Sequence, residues 1–171
     1  MTRASALVVG LGQPDRGDDA VGAVVAERIA HTYGDEVQVV TREDPTALVQ
    51  LWDGWRVAVI IDAVCSGRVP GTVRVMEAGE EQRPLSTQAF TAAGRGGSHA
   101  FGLAGAIELA RTLGTLPTRV AIVGIEAGTF AYGHLSTPVK DNIDRAVATV
   151  VDVLAQEGIE VPTCVSEPSP R

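Results

Sequence analysis

The sequence predicts an α/β fold built on a five-stranded, mostly parallel sheet. Three observations carry that expectation. Short apolar runs rich in Val, Ile and Ala alternate with longer segments of helical periodicity along the 171 residues. Most links between successive strands carry a helix, and a right-handed strand–helix–strand crossover makes its two strands parallel. The link between the third and fourth strands carries none, so one of them is expected in an antiparallel pairing.

The first strand is Ala6-Leu7-Val8-Val9-Gly10-Leu11, an apolar run ended by glycine and Pro14. A polar loop over residues 12–18 leads to a helix over about 19–32, with Val21, Val24, Val25 and Ile29 on one face. Asp18 is its expected N-cap, and acids in a first helical turn suit the helix dipole. Val37-Gln38-Val39-Val40 is the second strand. Asp44-Pro45 opens a short helix to about Trp52, with proline at a first-turn position. The third strand covers residues 56–61, is apolar on both faces as a central strand should be, and ends at Asp62. A turn with Gly67, Pro70 and Gly71 precedes a fourth strand over 72–76. Residues 78–97 are polar and Gly-rich, and read as a functional loop or one containing a short helix. A helix over 98–113, a fifth strand over 119–125 and a continuous last helix over 137–156 complete the pattern. One domain over residues 1–160 is expected, followed by a polar, disordered tail over 161–171.

Composition narrows the function. The formal net charge of −7 disfavours nucleic acid, whose phosphates need a basic patch. No apolar run reaches the roughly 18 residues of a membrane span. The first five residues are too short and too weakly basic for a signal peptide. Two cysteines, Cys65 and Cys164, make neither a disulfide framework nor a CxxC motif, so a cytoplasmic setting is expected.

In open α/β sheets, function gathers beyond the carboxyl ends of the strands, where strand order reverses. Asp19 after strand one, Asp62 at the end of strand three and His99 at a helix start all fall at such ends. Two carboxylates and an imidazole suit a borderline divalent ion such as zinc or nickel. Asp19 also has an ordinary role as a dipole partner, and His99 as a hydrogen-bonded surface residue. Asp62 is harder to explain without function, because a carboxylate directly after five apolar residues sits at a buried strand end. His31 closes the first helix and reads as structural, and His134 as solvated. Cys65 invites a nucleophile role, but Val64 and Ser66 beside it supply no base, so it reads as an unreactive loop thiol. The series Gly10-x-Gly12-x4-Gly17, with Glu43 or Asp44 as a ribose-binding acid, imitates a dinucleotide fingerprint. Its spacing is wrong, and Asp18 and Asp19 would repel a pyrophosphate.

Four stretches, taken together and in order, resemble the hydrogenase maturation proteases, the endopeptidases that trim [NiFe]-hydrogenase large subunits. They are Val9-Gly10-Leu11-Gly12-Gln13-Pro14-Asp15-Arg16-Gly17-Asp18-Asp19-Ala20-Val21-Gly22; Ile61-Asp62-Ala63-Val64-Cys65-Ser66-Gly67 with Pro70-Gly71-Thr72-Val73; Ser98-His99-Ala100-Phe101-Gly102-Leu103; and Leu116-Pro117 through Val123-Gly124-Ile125-Glu126, then Leu135-Ser136. The resemblance implies a three-layer α/β/α sandwich around a five-stranded mixed sheet. It implies a metal-recognising, catalytic set of Asp19, Asp62 and His99, the same three residues. It implies a nickel-loaded [NiFe]-hydrogenase large-subunit precursor as the partner, with nickel supplied by the substrate, and removal of the precursor's C-terminal extension. Gln13 stands where the family has Asn, and Ala20 where it usually has Gly. No HExxH motif is present, so no resident helix-borne metal site is expected. Two other readings remain at this point: a non-catalytic nickel-sensing or metallochaperone module, and a related protease with another protein substrate.

Overall fold

The structure, a computed structural model, describes residues 5–79 and 97–162. The described residues form one five-stranded sheet, ordered β2-β1-β3-β5-β4. The strands are β1 (Ala6–Leu11), β2 (Val37–Arg42), β3 (Val57–Val64), β4 (Val73–Glu77) and β5 (Arg119–Glu126). The β1–β2, β1–β3 and β3–β5 pairs are parallel and β4 runs antiparallel to β5, as the helix-free link requires.

Strand alternation divides the core in two. Ala6, Val8, Val57, Val59, Ile61, Ala121, Val123 and Ile125 face α1 (Val21–Tyr33) and the last long helix. Leu7, Val9, Leu11, Ala58, Ile60, Val120 and Ile122 face α2 (Leu48–Leu51) and α3 (Gly97–Leu113), from which Leu48, Leu103 and Ile107 pack inward. β1, β3 and β5 are covered on both faces, which explains their near-continuous apolar runs.

Three elements differ from the sequence reading. The first helix begins as a 3-10 turn, Gly17–Ala20, and becomes α-helical only at Val21. β3 runs past Asp62, because Asp62, Ala63 and Val64 pair with Gly124, Ile125 and Glu126 of β5. The last helix is broken into α4 (Thr137–Lys140) and α5 (Ile143–Gln156). At the break, the Asn142 side-chain amide donates to the Pro138 carbonyl at 2.9 Å, a local bond that competes with helix propagation. The expected loop over 78–97 and tail over 161–171 lie almost wholly outside the described residues. Among the described residues, no helix is long and apolar enough to cross a membrane.

Candidate active site

The chain leaves β1, crosses to β2 on one side, and returns to β3 on the other. Strand order therefore reverses between β1 and β3, and the crevice beyond their carboxyl ends is the switch point of the sheet.

Two glycines bring the chain into that crevice. Gly12, at φ +127°, lies so close to the Asp19 carbonyl that an added Cβ would stand 1.8 Å from its oxygen. Gly22, the second residue of α1, packs against the end of β1 and against β3; a Cβ there would stand 2.2 Å from the Leu11 carbonyl oxygen and 2.5 Å from that of Ile61. The start of α1, directly after the turn holding Asp19, is thus pressed against β3 one residue from Asp62.

Asp19 is buried, and its Oδ2 accepts a hydrogen bond from the Gln13 main-chain N–H at 2.9 Å. Asp62 is 1% exposed. The alternation that sends Ala58 and Ile60 toward α3 sends Asp62 to the same side. α3 descends on that face from the carboxyl edge. Gly102 in its second turn lies against Pro45, just beyond β2, while Arg111 near its other end donates to the Gly79 carbonyl at 2.9 Å. His99 therefore occupies the first turn of α3, at the carboxyl edge and on the face that Asp62 addresses; its side chain lies outside the described residues. Among the described residues, no three of His, Cys, Asp and Glu cluster closely enough to hold a metal ion. A metal bound by Asp19 and Asp62 needs further donors, from His99 or from the substrate.

Asp18 is not the expected N-cap. It is fully buried and points across the crevice edge into the segment after β5. Its Oδ2 accepts from Gly128 N at 2.7 Å, Thr129 N at 3.0 Å and Ser136 Oγ at 2.8 Å, and its Oδ1 accepts from Ser136 N at 2.6 Å. Glu126, 2% exposed at the end of β5, does the same for the loop after β3. Its Oε1 accepts from Ser66 N at 2.7 Å and Arg68 N at 3.1 Å, and its Oε2 from Ser66 Oγ at 2.7 Å. The sequence offers Asp18 only a local capping role and assigns Glu126 none. Their donors lie 58 to 118 residues away, beyond any local pattern.

The remaining candidates have other placements. His31 sits in the last turn of α1 with Nδ1 2.8 Å from the Glu27 carbonyl oxygen, and His134 is exposed. Asp44 caps a turn, accepting from Thr46 N at 2.8 Å. Cys65 is half-buried, one residue beyond β3, in the loop that Glu126 holds.

A family model described as hydrogenase maturation protease (HycI) matches residues 24–153. The hydrogenase expression/formation protein HupD of Rhodobacter capsulatus is 29% identical over 161 residues, covering 91% of this chain and 73% of the relative. Among solved structures, the hydrogenase maturating endopeptidase HybD from E. coli matches with a TM-score of 0.78 at 25% identity, over 94% of this chain and 99% of that one. The [NiFe] hydrogenase maturation protease HybD from Thermococcus kodakarensis shares the fold at a TM-score of 0.63 and 22% identity, over 86% of this chain and 97% of that one.

Proposed function

The chain belongs to the hydrogenase maturation protease family, and from that premise we propose that it cuts the C-terminal extension from a nickel-loaded [NiFe]-hydrogenase large-subunit precursor. The observation that carries this reading is the pair of buried carboxylates, Asp19 and Asp62, at the switch point between β1 and β3.

Nickel is part of the substrate in this reading. Asp19 and Asp62 offer oxygen donors and His99 a nitrogen donor, a set that suits a borderline divalent ion. Three protein donors leave coordination positions for groups that the precursor brings, such as its cysteine thiolates. Gripping the metal in this way holds the adjoining polypeptide against the crevice, which lowers the entropic cost of reaching the transition state. A carboxylate within reach of the attacking water can accept its proton, while the peptide C–N bond breaks and the amine leaves protonated. The chemistry calls for no resident metal, and the reaction belongs to the cytoplasm, in keeping with the sequence's sparing use of cysteine.

Incubation of the purified protein with nickel-loaded and nickel-free precursor, read by intact mass, tests the reading. The loaded precursor should lose one C-terminal fragment and the nickel-free precursor should stay whole. Asp62→Ala and His99→Ala should fold and lose processing. Equal cleavage of both precursors would refute nickel recognition, and an unchanged mass for the loaded precursor would refute the proteolytic reading.

A further inference from the structure

Asp18 is a fully buried acid with no part in the reaction proposed above. Its carboxylate fastens segment 128–136 to the turn carrying Asp19, and the main chain repeats the connection. Asp18 N donates to Thr129 O, Gly17 N to Gly133 O and Gly133 N to Asp15 O, each at 3.0 Å, around an isolated parallel bridge between Arg16 and Gly133. Gly17, at φ +57°, lies so close to this segment that a Cβ would stand 2.8 Å from the Ala131 carbonyl oxygen.

The fastened pieces are the walls of a cleft of about 640 Å³, with Gln13 and Arg16 on one side and Phe130 and Tyr132 on the other. Tyr132 is 87% exposed and belongs to neither half of the core. Folding does not explain an aromatic side chain held outward on a segment secured by a buried charge, whereas tyrosine is a frequent anchor in protein–protein contacts. Asp15, Arg16 and Glu43 add charges of both signs to the lining, as at the polar rim of such a contact. The cleft adjoins the crevice through Gln13, whose main-chain N–H donates to Asp19.

We propose that Asp18 is a positioning residue for substrate binding: it holds segment 128–136 in place and thereby shapes the cleft that grips the precursor polypeptide beside Asp19. This rests on the reading of Asp19 as part of the reaction site. Among the described residues, the side-chain bonds of Asp18 go to Gly128, Thr129 and Ser136, which flank the wall residues Phe130, Ala131 and Tyr132, so its loss should weaken binding rather than slow the chemical step.

Steady-state processing of nickel-loaded precursor by the full-length protein tests this. Asp18→Asn should raise KM at least about tenfold while kcat stays within about threefold. Tyr132→Ala alters an exposed side chain that the fold does not need, and should raise KM in the same way; it decides the matter if Asp18→Asn fails to fold. Titration of labelled precursor in an Asp62→Ala background should show the same weakening without any cleavage. Unchanged KM and unchanged binding would overturn the proposal, as would a fall in kcat at constant KM. If the wild type binds the precursor but leaves it uncut, the protease reading fails; weakening of that binding by both substitutions would still support the cleft.

Discussion

Replacing Asp18 and Glu126 each by its own amide should have unequal effects, although both are buried acids that hold a loop. In Glu126→Gln the amide oxygen can keep Ser66 N and Arg68 N, and the new NH2 can donate to Ser66 Oγ, because a hydroxyl both donates and accepts. Every contact survives and only charge assistance is lost, at about 1 kcal/mol. Asp18→Asn has no such solution. Both of its oxygens accept from main-chain N–H groups, Oδ1 from Ser136 and Oδ2 from Gly128 and Thr129. Either orientation of the amide turns an NH2 on a donor that cannot accept. The better one gives up Ser136 N, losing a charge-assisted bond and stranding a buried N–H, at about 3 kcal/mol. Against a total stability of about 5–15 kcal/mol, both variants should still fold. A difference of about 2 kcal/mol corresponds to about 4–8 °C in Tm for a chain of this size. Circular dichroism melts, with urea titrations to confirm equal m-values, measure it. Equal losses, or a larger loss for Glu126→Gln, would refute the donor count on which the reasoning rests.

Three further outcomes follow from the same structure. Cys65→Ser should process precursor at close to the wild-type rate; a loss beyond about a hundredfold, about 2.7 kcal/mol of barrier, would make the thiol a nucleophile. Burial raises the Glu157 carboxyl, but hydrogen bonds and charge from Arg119 and Arg56 outweigh it and hold the group below its usual value. A depressed acid stabilises the fold above its unfolded-chain value of about 4.3, and that contribution is lost as pH falls through the lower folded value. Acid titration of stability should therefore show a decline in that window which Glu157→Gln flattens; an identical decline in the variant would contradict it. Gly22→Ala should cost at least about 3 kcal/mol because its Cβ meets two main-chain oxygens, whereas Gly105→Ala, on an open face of α3, should gain up to about 1 kcal/mol; urea midpoints moving in the same direction would be inconsistent with the packing.

The sheet was legible in the sequence because its central strands are buried on both faces, and burial on both faces writes an unbroken apolar run. β1 shows this with the bounds that were read, Ala6–Leu11. The same rule misplaced the end of β3. The run stops at Asp62, but strand pairing follows the partner's backbone, and β5 continues to Glu126. Periodicity likewise carried one helix through residues 137–156, since the apolar stripe is continuous across a break made by a single Asn142 side chain. Asp19 and Asp62 could be singled out because position alone marks them, each at a strand or helix end. Asp18 was assigned to the nearest helix because local capping is the only partner a sequence displays. Its actual partners are three main-chain amides and the Ser136 hydroxyl brought from 110 to 118 residues away, and amides leave no signature in residue identity.

The buried acids themselves make an argument about the substrate. Among the described residues, the charged groups in the buried set are Asp18, Asp19, Asp62 and Glu126, and all four lie at the carboxyl edge of the sheet. Concentrating four carboxylates there is unfavourable unless each negative charge is met by donors or by positive charge. Asp18 and Glu126 are met by the amides of the loops they hold. Asp19 and Asp62 flank the crevice between those loops, where a ligand's charge can reach them. In the proposed reading a divalent cation arriving on the precursor would add positive charge beside Asp19 and Asp62, which a nickel-free precursor would not bring. Since a ligand shifts a reaction only through the difference in its interactions, the proposed reading requires Asp19 and Asp62 to distinguish the two precursors before any bond is broken.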